Sequence, residues 1–185
     1  YRSGLLTIER EAPPPAAATG GLLSFENGQY LRATPLVQSD HPDIRRQAAK
    51  IVSPDDSDAV KAEKLVAWVH RNVEKKPVLS VPNALETLAN RVGDCNEHAV
   101  LLAALARAAG IPAQIEAGLV YLKGRFFYHA WNTLYVGNWV TADAVTGDMP
   151  ADVTHIRLVR GEADRQMDLM GVIGRLQLEI VDMKK

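Results

Sequence analysis

The chain has 185 residues, of which 47% are hydrophobic and 23% charged, and its formal net charge is −1. These values are typical of an ordinary globular protein and exclude a disordered or fibrous chain. The 21 basic and 22 acidic residues form no basic run, so we expect no nucleic-acid partner. The longest apolar run, Ala99–Ala106, is far shorter than the ~20 residues of a membrane span. The single cysteine excludes a disulfide framework within the chain and leaves the cellular compartment open.

The first 33 residues differ in composition from the rest of the chain. They contain two strand-like runs, Leu5–Ile8 and Leu22–Phe25, with a proline-rich stretch between them and the turn-forming pair Asn27–Gly28 after them. Because the chain starts without Met and without a signal pattern, we expect a fragment or a processed form. We interpret residues 1–33 as a strand-like arm or the remnant of an upstream domain, and residues 34–185 as the main domain.

Helical signals follow from residue 40 onward. Asp40–Asp43 opens a first helix, with Pro42 at a position that suits a first turn. Ser53–Asp56 interrupts that helix and begins a second one, and a short helix is predicted over Ala84–Ala89. Apolar and charged residues alternate at helical spacing in the first two, which predicts amphipathic helices packed on a core.

The next helix is apolar on every side, which predicts that it lies in the middle of the core. Asp94 is a suitable N-cap and Glu97, three residues later, completes a capping box, so Cys95 falls in the first turn. The body of the helix is Ala99–Ala106, and Gly110 ends it. Polar side chains are found only at its beginning.

The second half of the main domain has β patterning. Hairpin turn signals at Lys123–Gly124 and Gly137–Asn138 separate three of the predicted strands. Helices followed by an antiparallel meander predict an α+β fold. The predicted strands are Ala113–Leu122, Phe126–Val136, Trp139–Ala144, Ile156–Val159 and Leu176–Val181.

Three of these residues could act together as a nucleophilic site. The thiolate of cysteine is the nucleophile, and the first turn of a helix is expected to lower the pKa of Cys95. A thiol nucleophile needs a base, which His129 could supply from its aromatic strand. Asp143 ends the neighbouring strand of the predicted hairpin, where it could orient the imidazole of His129.

The motifs around these residues closely resemble those of the transglutaminase-like superfamily. That superfamily includes transglutaminases, peptide N-glycanases and bacterial proteins described as cysteine proteases. The resemblance implies a papain-like fold with Cys95 as nucleophile, His129 as base and Asp143 as orienting acid. The motifs are Gly93-Asp94-Cys95-x-x-His98-Ala99, Leu105-Ala106-Arg107-Ala108-Ala109-Gly110-Ile111-Pro112, His129-Ala130-Trp131 and Trp139-Val140-x-x-Asp143.

The sequence departs from this family at two places. Many relatives carry an acidic residue two positions after the tryptophan of the His-Ala-Trp motif, where this chain has Thr133. Many also follow the aspartate with Pro-Thr, where this chain has Ala144-Val145. Both changes concern substrate positioning and strand-end geometry, and neither removes a member of the triad.

Several residues are candidates for the oxyanion hole and the substrate cleft. The backbone N–H of Cys95 is the natural first oxyanion donor at the start of a helix. Side-chain donors could come from three residues, and aromatic side chains could form walls of the cleft. These candidates are Asn83, Asn96, Tyr128, Trp131 and Trp139.

The sequence leads to one functional hypothesis and two alternatives. We expect acyl transfer at an amide of a peptide or protein substrate, with hydrolysis by a protease or amidase favoured over transglutaminase-type transfer, and no cofactor or metal. The first alternative is a catalytically inert module that binds peptide or glycan. The second is a zinc site at Cys95, His98 and His129, with Asp143 as a further ligand.

The other histidines support no comparable case. His41 and His70 carry no motif, and His70 is expected to be solvated on a helix face. His155 precedes a predicted strand and is expected to be a turn or capping residue.

Overall fold

The computed structural model describes residues 4–13, 25–79, 81–162, 169, 171 and 175–182. The helices are α1 (Phe25–Gly28), a short 3-10 helix (Gln29–Leu31), α2 (Pro42–Ile51), α3 (Asp58–Asn72), α4 (Ala84–Asn90) and α5 (Cys95–Ala108). The strands are β1 (Glu74–Lys75), β2 (Val92–Gly93), β3 (Ala113–Leu122), β4 (Arg125–Tyr135), β5 (Trp139–Ala142) and β6 (His155–Arg160).

The four longer helices each begin at a side chain that caps the first turn. His41 accepts a hydrogen bond from Asp43 N at the start of α2, and Pro42 follows it at the first helical position. Ser57 caps α3 and Asn83 caps α4 in the same way. These caps satisfy amide groups that the helix itself leaves without partners, which fixes where each helix starts.

Helix α5 lies at the centre of the core, as its all-apolar sequence predicts. Every residue from Val100 to Ala106 is buried, and the helix packs between α2, α3 and α4 on one side and strands β3 and β4 on the other. Its last turn is held by Arg107, whose guanidinium donates to the carbonyl oxygens of Ala113 and Arg32. No helix in the described part of the chain is long and apolar enough to cross a membrane.

The main sheet has the strand order β5-β4-β3-β6, and all its neighbours are antiparallel. Strands β3 and β4 form a hairpin through Lys123 and Gly124, whose φ angles of 50° and 84° are those of a tight hairpin turn. Strand β6 pairs with β3 rather than with the strand before it, so residues 143–154 connect the two opposite edges of the sheet. Strands β1 and β2 form a separate parallel pair.

The α+β fold with an antiparallel sheet is confirmed, and three predictions about the ends of the chain are corrected. Residues 6–13 form no regular element, and Leu5 makes only an isolated bridge. Residues 22–24 lie outside the described residues, while Phe25 and the expected turn at Asn27–Gly28 belong to α1. Residues 176–181 form no strand. Runs of this kind become strands only where a neighbouring strand pairs with them, and no such pairing is seen for 6–13 or 176–181.

The N-terminal segment nevertheless contacts the main domain. Glu11 accepts hydrogen bonds from the backbone N–H and the hydroxyl of Thr141, at 2.9 and 3.0 Å, on the edge strand β5. This contact occupies a backbone donor at the sheet edge.

Candidate active site

Cys95 is held at the start of α5 by a capping box. The Asp94 carboxylate accepts from Asn96 N at 2.8 Å, while Glu97 reaches back and accepts from Asp94 N at 2.9 Å. Gly93 permits this arrangement, because a Cβ at that position would lie 2.3 Å from the Cβ of Glu97. The predicted N-cap and its partner are therefore present, and they fix the backbone that carries the thiol.

The thiol of Cys95 does not have the low pKa that its place on the helix predicts. Burial raises the pKa of Cys95 to about 12, and the carboxylates of Asp94 and Asp143 act in the same direction. Hydrogen bonds with the backbone of Ala130 and with its own N–H favour the thiolate but do not outweigh burial. The resting side chain is a neutral thiol, and the expectation of a lowered pKa was wrong.

His129 and Asp143 meet across the β4–β5 hairpin. His129 Nε2 lies 2.8 Å from Asp143 Oδ2, and Asp143 Oδ1 accepts from Val145 N at 2.7 Å. Asp143 is 1% exposed. Burial acts to raise the pKa of Asp143, but hydrogen bonds from His129 and His155 hold it well below its usual range. Asp143 is therefore an ionised carboxylate inside the protein.

His155 is a member of this cluster that the sequence analysis missed. Its Nε2 lies 3.2 Å from Asp143 Oδ2, and its Nδ1 lies 3.1 Å from Asp152 Oδ1. Only 5% of its side chain is exposed. His155 is therefore a buried member of the cluster and more than the turn or capping residue that the sequence predicts. Although burial opposes it, the carboxylates of Asp143 and Asp152 raise the pKa of His155. The only local signal was a histidine at the start of a strand, which does not reveal the partner strand.

Trp131 packs beside both histidines. Its ring is stacked on His129 with ring centroids 6.0 Å apart, and it meets His155 edge-on at 5.1 Å. Trp131 is 1% exposed, so it lies under the cluster and not at a surface open to substrate.

Asn96 and Tyr128 lie together at the start of α5. The Tyr128 hydroxyl donates to Asn96 Oδ1 at 3.0 Å, and the Asn96 amide donates to Asp94. Burial raises the pKa of Tyr128, with smaller contributions from Cys95 and Asp94, so this hydroxyl remains a neutral donor. Both side chains therefore lie at the helix end that carries Cys95.

The structure does not bring Asn83 and Trp139 to the histidine cluster. Asn83 Oδ1 accepts from Glu86 N as the cap of α4. Trp139 contacts the rings of Tyr30 and Tyr135 at the opposite end of the β4–β5 hairpin from His129. The six residue steps along extended strand from His129 to Tyr135 correspond to about 20 Å.

The zinc site proposed as an alternative is not formed. Within the described residues, the His, Cys, Asp and Glu side chains whose ligand atoms lie close enough to share an ion are His129, Asp143 and His155, which excludes Cys95 and His98. His98 instead directs Nδ1 at the carbonyl oxygen of Asp94, at 2.6 Å, and burial lowers its pKa. The three clustered groups could offer two nitrogens and an oxygen to a metal, but N–H···O hydrogen bonds account for their separations of 2.8 and 3.2 Å.

Comparisons with known proteins agree with the fold and the motifs. The family model of the transglutaminase-like superfamily matches residues 45–144. A protein from Cytophaga hutchinsonii described as a "putative cysteine protease" has a similar structure, with a TM-score of 0.67 and 26% identity, over 76% of this chain and 48% of that chain. The periplasmic domain of TgpA from Pseudomonas aeruginosa shares the fold, with a TM-score of 0.52 and 20% identity, over 65% of this chain and 47% of that chain. This chain thus spans about half the length of these proteins. No curated protein matches it.

Proposed function

The chain belongs to the transglutaminase-like superfamily, and on that premise we propose that it is a cysteine enzyme that transfers the acyl group of an amide. In this proposal Cys95 is the nucleophile, His129 the general base and acid, and Asp143 the group that orients His129. The substrate is an amide of a peptide or protein.

The contact between His129 and Asp143 is the observation that carries this proposal. Asp143 accepts from His129 Nε2, so Nδ1 is the ring nitrogen left to exchange a proton with a thiol. The thiol of Cys95 is hydrogen-bonded to the backbone of Ala130, the residue next to His129 on β4. The nucleophile, the base and the orienting acid therefore come from three different elements: α5, β4 and the end of β5.

The raised pKa of Cys95 decides how the first step runs. Because the resting thiol is neutral, its proton passes to His129 Nδ1 as the sulfur bonds to the carbonyl carbon. The proton then moves from Nδ1 to the amine as the C–N bond breaks, which leaves a thioester on Cys95. Water attacks the thioester, His129 takes its proton, and the C–S bond breaks with return of that proton to sulfur.

The oxyanion that forms during attack is held at the start of α5. The Asp94 side chain already accepts from Asn96 N and from the N–H of Glu97, so the Cys95 N–H is the nearest amide that could serve the substrate. The Asn96 amide and the Tyr128 hydroxyl are the candidate second donors, because both lie at this helix end.

Hydrolysis is the favoured outcome for the thioester. The similar protein from Cytophaga hutchinsonii is described as a "putative cysteine protease", and its 26% identity supports a hydrolase for this chain. If an amine replaces water in the last step, the same residues perform transglutaminase-type transfer. Adding a primary amine during turnover and weighing the products distinguishes the two reactions.

The proposal is tested by turnover of a quenched fluorogenic peptide library. We expect cleavage by the native chain and no cleavage by Cys95→Ala. Asn90→Ala, an exposed position on α4, serves as the matched control and should keep full activity. Full activity of Cys95→Ala would contradict the mechanism.

A second function is favoured by one observation, the neutral resting thiol. An inert module that binds peptide or glycan has no need of a reactive cysteine. Alkylation by iodoacetamide near neutral pH should be slow in the native chain and fast after denaturation in both cases. A peptide vinyl sulfone separates them: an enzyme is labelled at Cys95 in a reaction that His129→Ala abolishes, whereas an inert module is labelled in neither form.

A further inference from the structure

Both ring nitrogens of His155 face oxygen atoms that can only accept hydrogen bonds. Nε2 lies 3.2 Å from Asp143 Oδ2. Nδ1 lies 3.1 Å from Asp152 Oδ1 and 3.2 Å from the carbonyl oxygen of Asp152. A neutral imidazole carries one proton, so one of its nitrogens would direct a lone pair at a carboxylate. Two protons on His155 remove that conflict.

We infer that His155 is an imidazolium ion that balances the charge of Asp143, and that it acts as a positioning residue for the proposed reaction. It does not reach the thiol in this role. It acts through Asp143, whose Oδ2 it shares with His129. This inference goes beyond the triad of Cys95, His129 and Asp143, and its role in turnover depends on the proposed function.

The charge balance of the cluster explains why a cation is needed there. An ionised carboxylate that is 1% exposed is costly unless a charge or several hydrogen bonds compensate it. Val145 N supplies one hydrogen bond to Asp143, and a neutral His129 supplies another. With His155 carrying the positive charge, His129 can stay neutral at rest, which a general base requires.

The groups around His155 favour its positive charge. Two carboxylates of the connecting segment, Asp143 and Asp152, contact its ring. Thr154 N holds Asp152 in place by donating to the same Oδ1 at 2.9 Å. The nearest cation on its own strand, Arg157, is engaged by Glu116 at 3.0 Å.

Within the described residues, the other ring contacts and the strand partner of His155 include no carboxylate, lysine or arginine. On β4 these are the His129 ring, with ring centroids 5.6 Å away, and the Trp131 ring. On β3 the residue paired with His155 is Val120. Because His129 lies so close, the charge on His155 disfavours a second charge on His129.

Replacing His155 therefore changes the pH dependence of catalysis in a defined direction. Gln at this position can still donate to Asp143 but carries no charge. Loss of a nearby positive charge favours the protonated form of the catalytic groups beside it. We expect the acid limb of the kcat/KM profile of His155→Gln to move to higher pH by about one unit, with about a tenfold loss of kcat/KM at a fixed pH on that limb. His41→Gln, at the half-exposed histidine that caps α2, is the matched control and should leave the profile unchanged.

The protonation state itself is measured by nitrogen-15 NMR of the full native chain at pH 7, with His155→Gln used to assign the signal. Two protonated ring nitrogens in His155 are the expected result, and a neutral ring would overturn the inference whether or not the chain is an enzyme. The kinetic test is separate from the NMR test. If His155→Gln is active and its pH profile matches that of the native chain, the positioning role is overturned. Absence of turnover in the native chain as well as in every variant would instead contradict the proposed function, and the NMR result alone would then decide the charge of His155. If His155→Gln does not fold, Asp152→Asn, which removes the second carboxylate, should make the ring neutral at a lower pH.

Discussion

The two faces of the main sheet bury different kinds of side chain. On the face toward α5, strand β4 places Ala130 and Leu134 in the apolar core, and Asn132 donates to the carbonyl oxygen of Ala99. On the other face the same strand places His129 and Thr133, both nearly as buried. Strand alternation thus puts a mainly apolar layer on the α5 side of the strand and, on the other side, a layer in which polar side chains surround Trp131; these are called the apolar face and the polar face.

The difference separates stability from chemistry within one strand. The apolar face contributes to folding through burial and close packing, which tolerate exchange of residues with similar volume. The polar face depends on directional hydrogen bonds, such as those from His129 and His155 to Asp143, which tolerate very little change. Substitutions on the two faces should therefore affect different measurements.

The largest effect is expected from the polar face at Asp143. Asp143→Asn presents an amide where two histidine N–H groups need an acceptor, so His129 loses its orientation. We expect kcat to fall by about 10³ to 10⁴, measured with the peptide substrate that the native chain cleaves. Asp148→Asn changes an exposed aspartate of the same loop and should leave kcat within about twofold. Equal losses of kcat in both variants would mean that activity depends on the structure of the loop and not on the carboxylate of Asp143.

Leu134→Ala on the apolar face should have the next largest effect, on stability. The side chain is completely buried, and its loss leaves a cavity against α5. We expect the free energy of unfolding to fall by about 2 to 5 kcal/mol in urea titrations. The folded fraction should keep its kcat, because Leu134 points away from the histidine cluster. A large loss of kcat in fully folded protein would show that the two faces are not independent.

A smaller, pH-dependent effect is expected at Glu97. Burial, together with a side-chain hydrogen bond to Asp94, raises the pKa of Glu97 from 4.5 to about 7, although the hydrogen bond from Asp94 N acts against this shift. A carboxyl group with a raised folded-state pKa contributes stability below its unfolded-state pKa and loses that contribution as the pH rises through the folded-state value. The free energy of unfolding should therefore fall between about pH 5 and pH 8.

Glu97→Gln should flatten this dependence, measured by urea unfolding at four pH values across that range. Glu86→Gln, an exposed glutamate in the first turn of α4, should leave the native slope unchanged. A native stability that is constant from pH 5 to pH 8 would contradict the raised pKa.

Thr133 should give the smallest effect, with the opposite sign. Its hydroxyl is buried on the polar face, and no hydrogen bond to it is found among the described residues. Thr133→Val removes an unsatisfied polar group at nearly constant volume, so the free energy of unfolding should rise by up to about 1 kcal/mol. Thr141→Val is the contrasting control on the same face. It removes the hydroxyl that bonds Glu11 and Ala151 N, and it should destabilise by about 1 kcal/mol.

The features that the sequence predicted well are those fixed by near neighbours in the chain. The capping box between Asp94 and Glu97 places Cys95 in the first turn of α5, and caps act over three residues. The glycine turn at Lys123–Gly124 sets the β3–β4 hairpin, and the next turn brings His129 beside Asp143. Each of these can be read from a short window of sequence.

The features that the sequence did not predict depend on distant parts of the chain. His155 reaches Asp143 only because β6 pairs with β3, which no local pattern encodes. Residues 176–181 largely alternate apolar and polar side chains as a strand does, but within the described part of the chain they pair with no strand. The pKa of Cys95 also depends on distant residues. The helix start favours a low pKa, but burial by the surrounding fold raises it.

The sequence by itself thus determined the α+β class, the capped helix with Cys95 at its start and the hairpin that joins His129 to Asp143. The tertiary structure decided that His155 also contacts Asp143 and that the thiol of Cys95 is neutral. It also decided that residues 6–8 and 176–181 form no strand. The physical reason is that caps and turns are satisfied by groups a few residues away. Desolvation, charge pairing and strand pairing depend instead on which distant segments the completed core brings together.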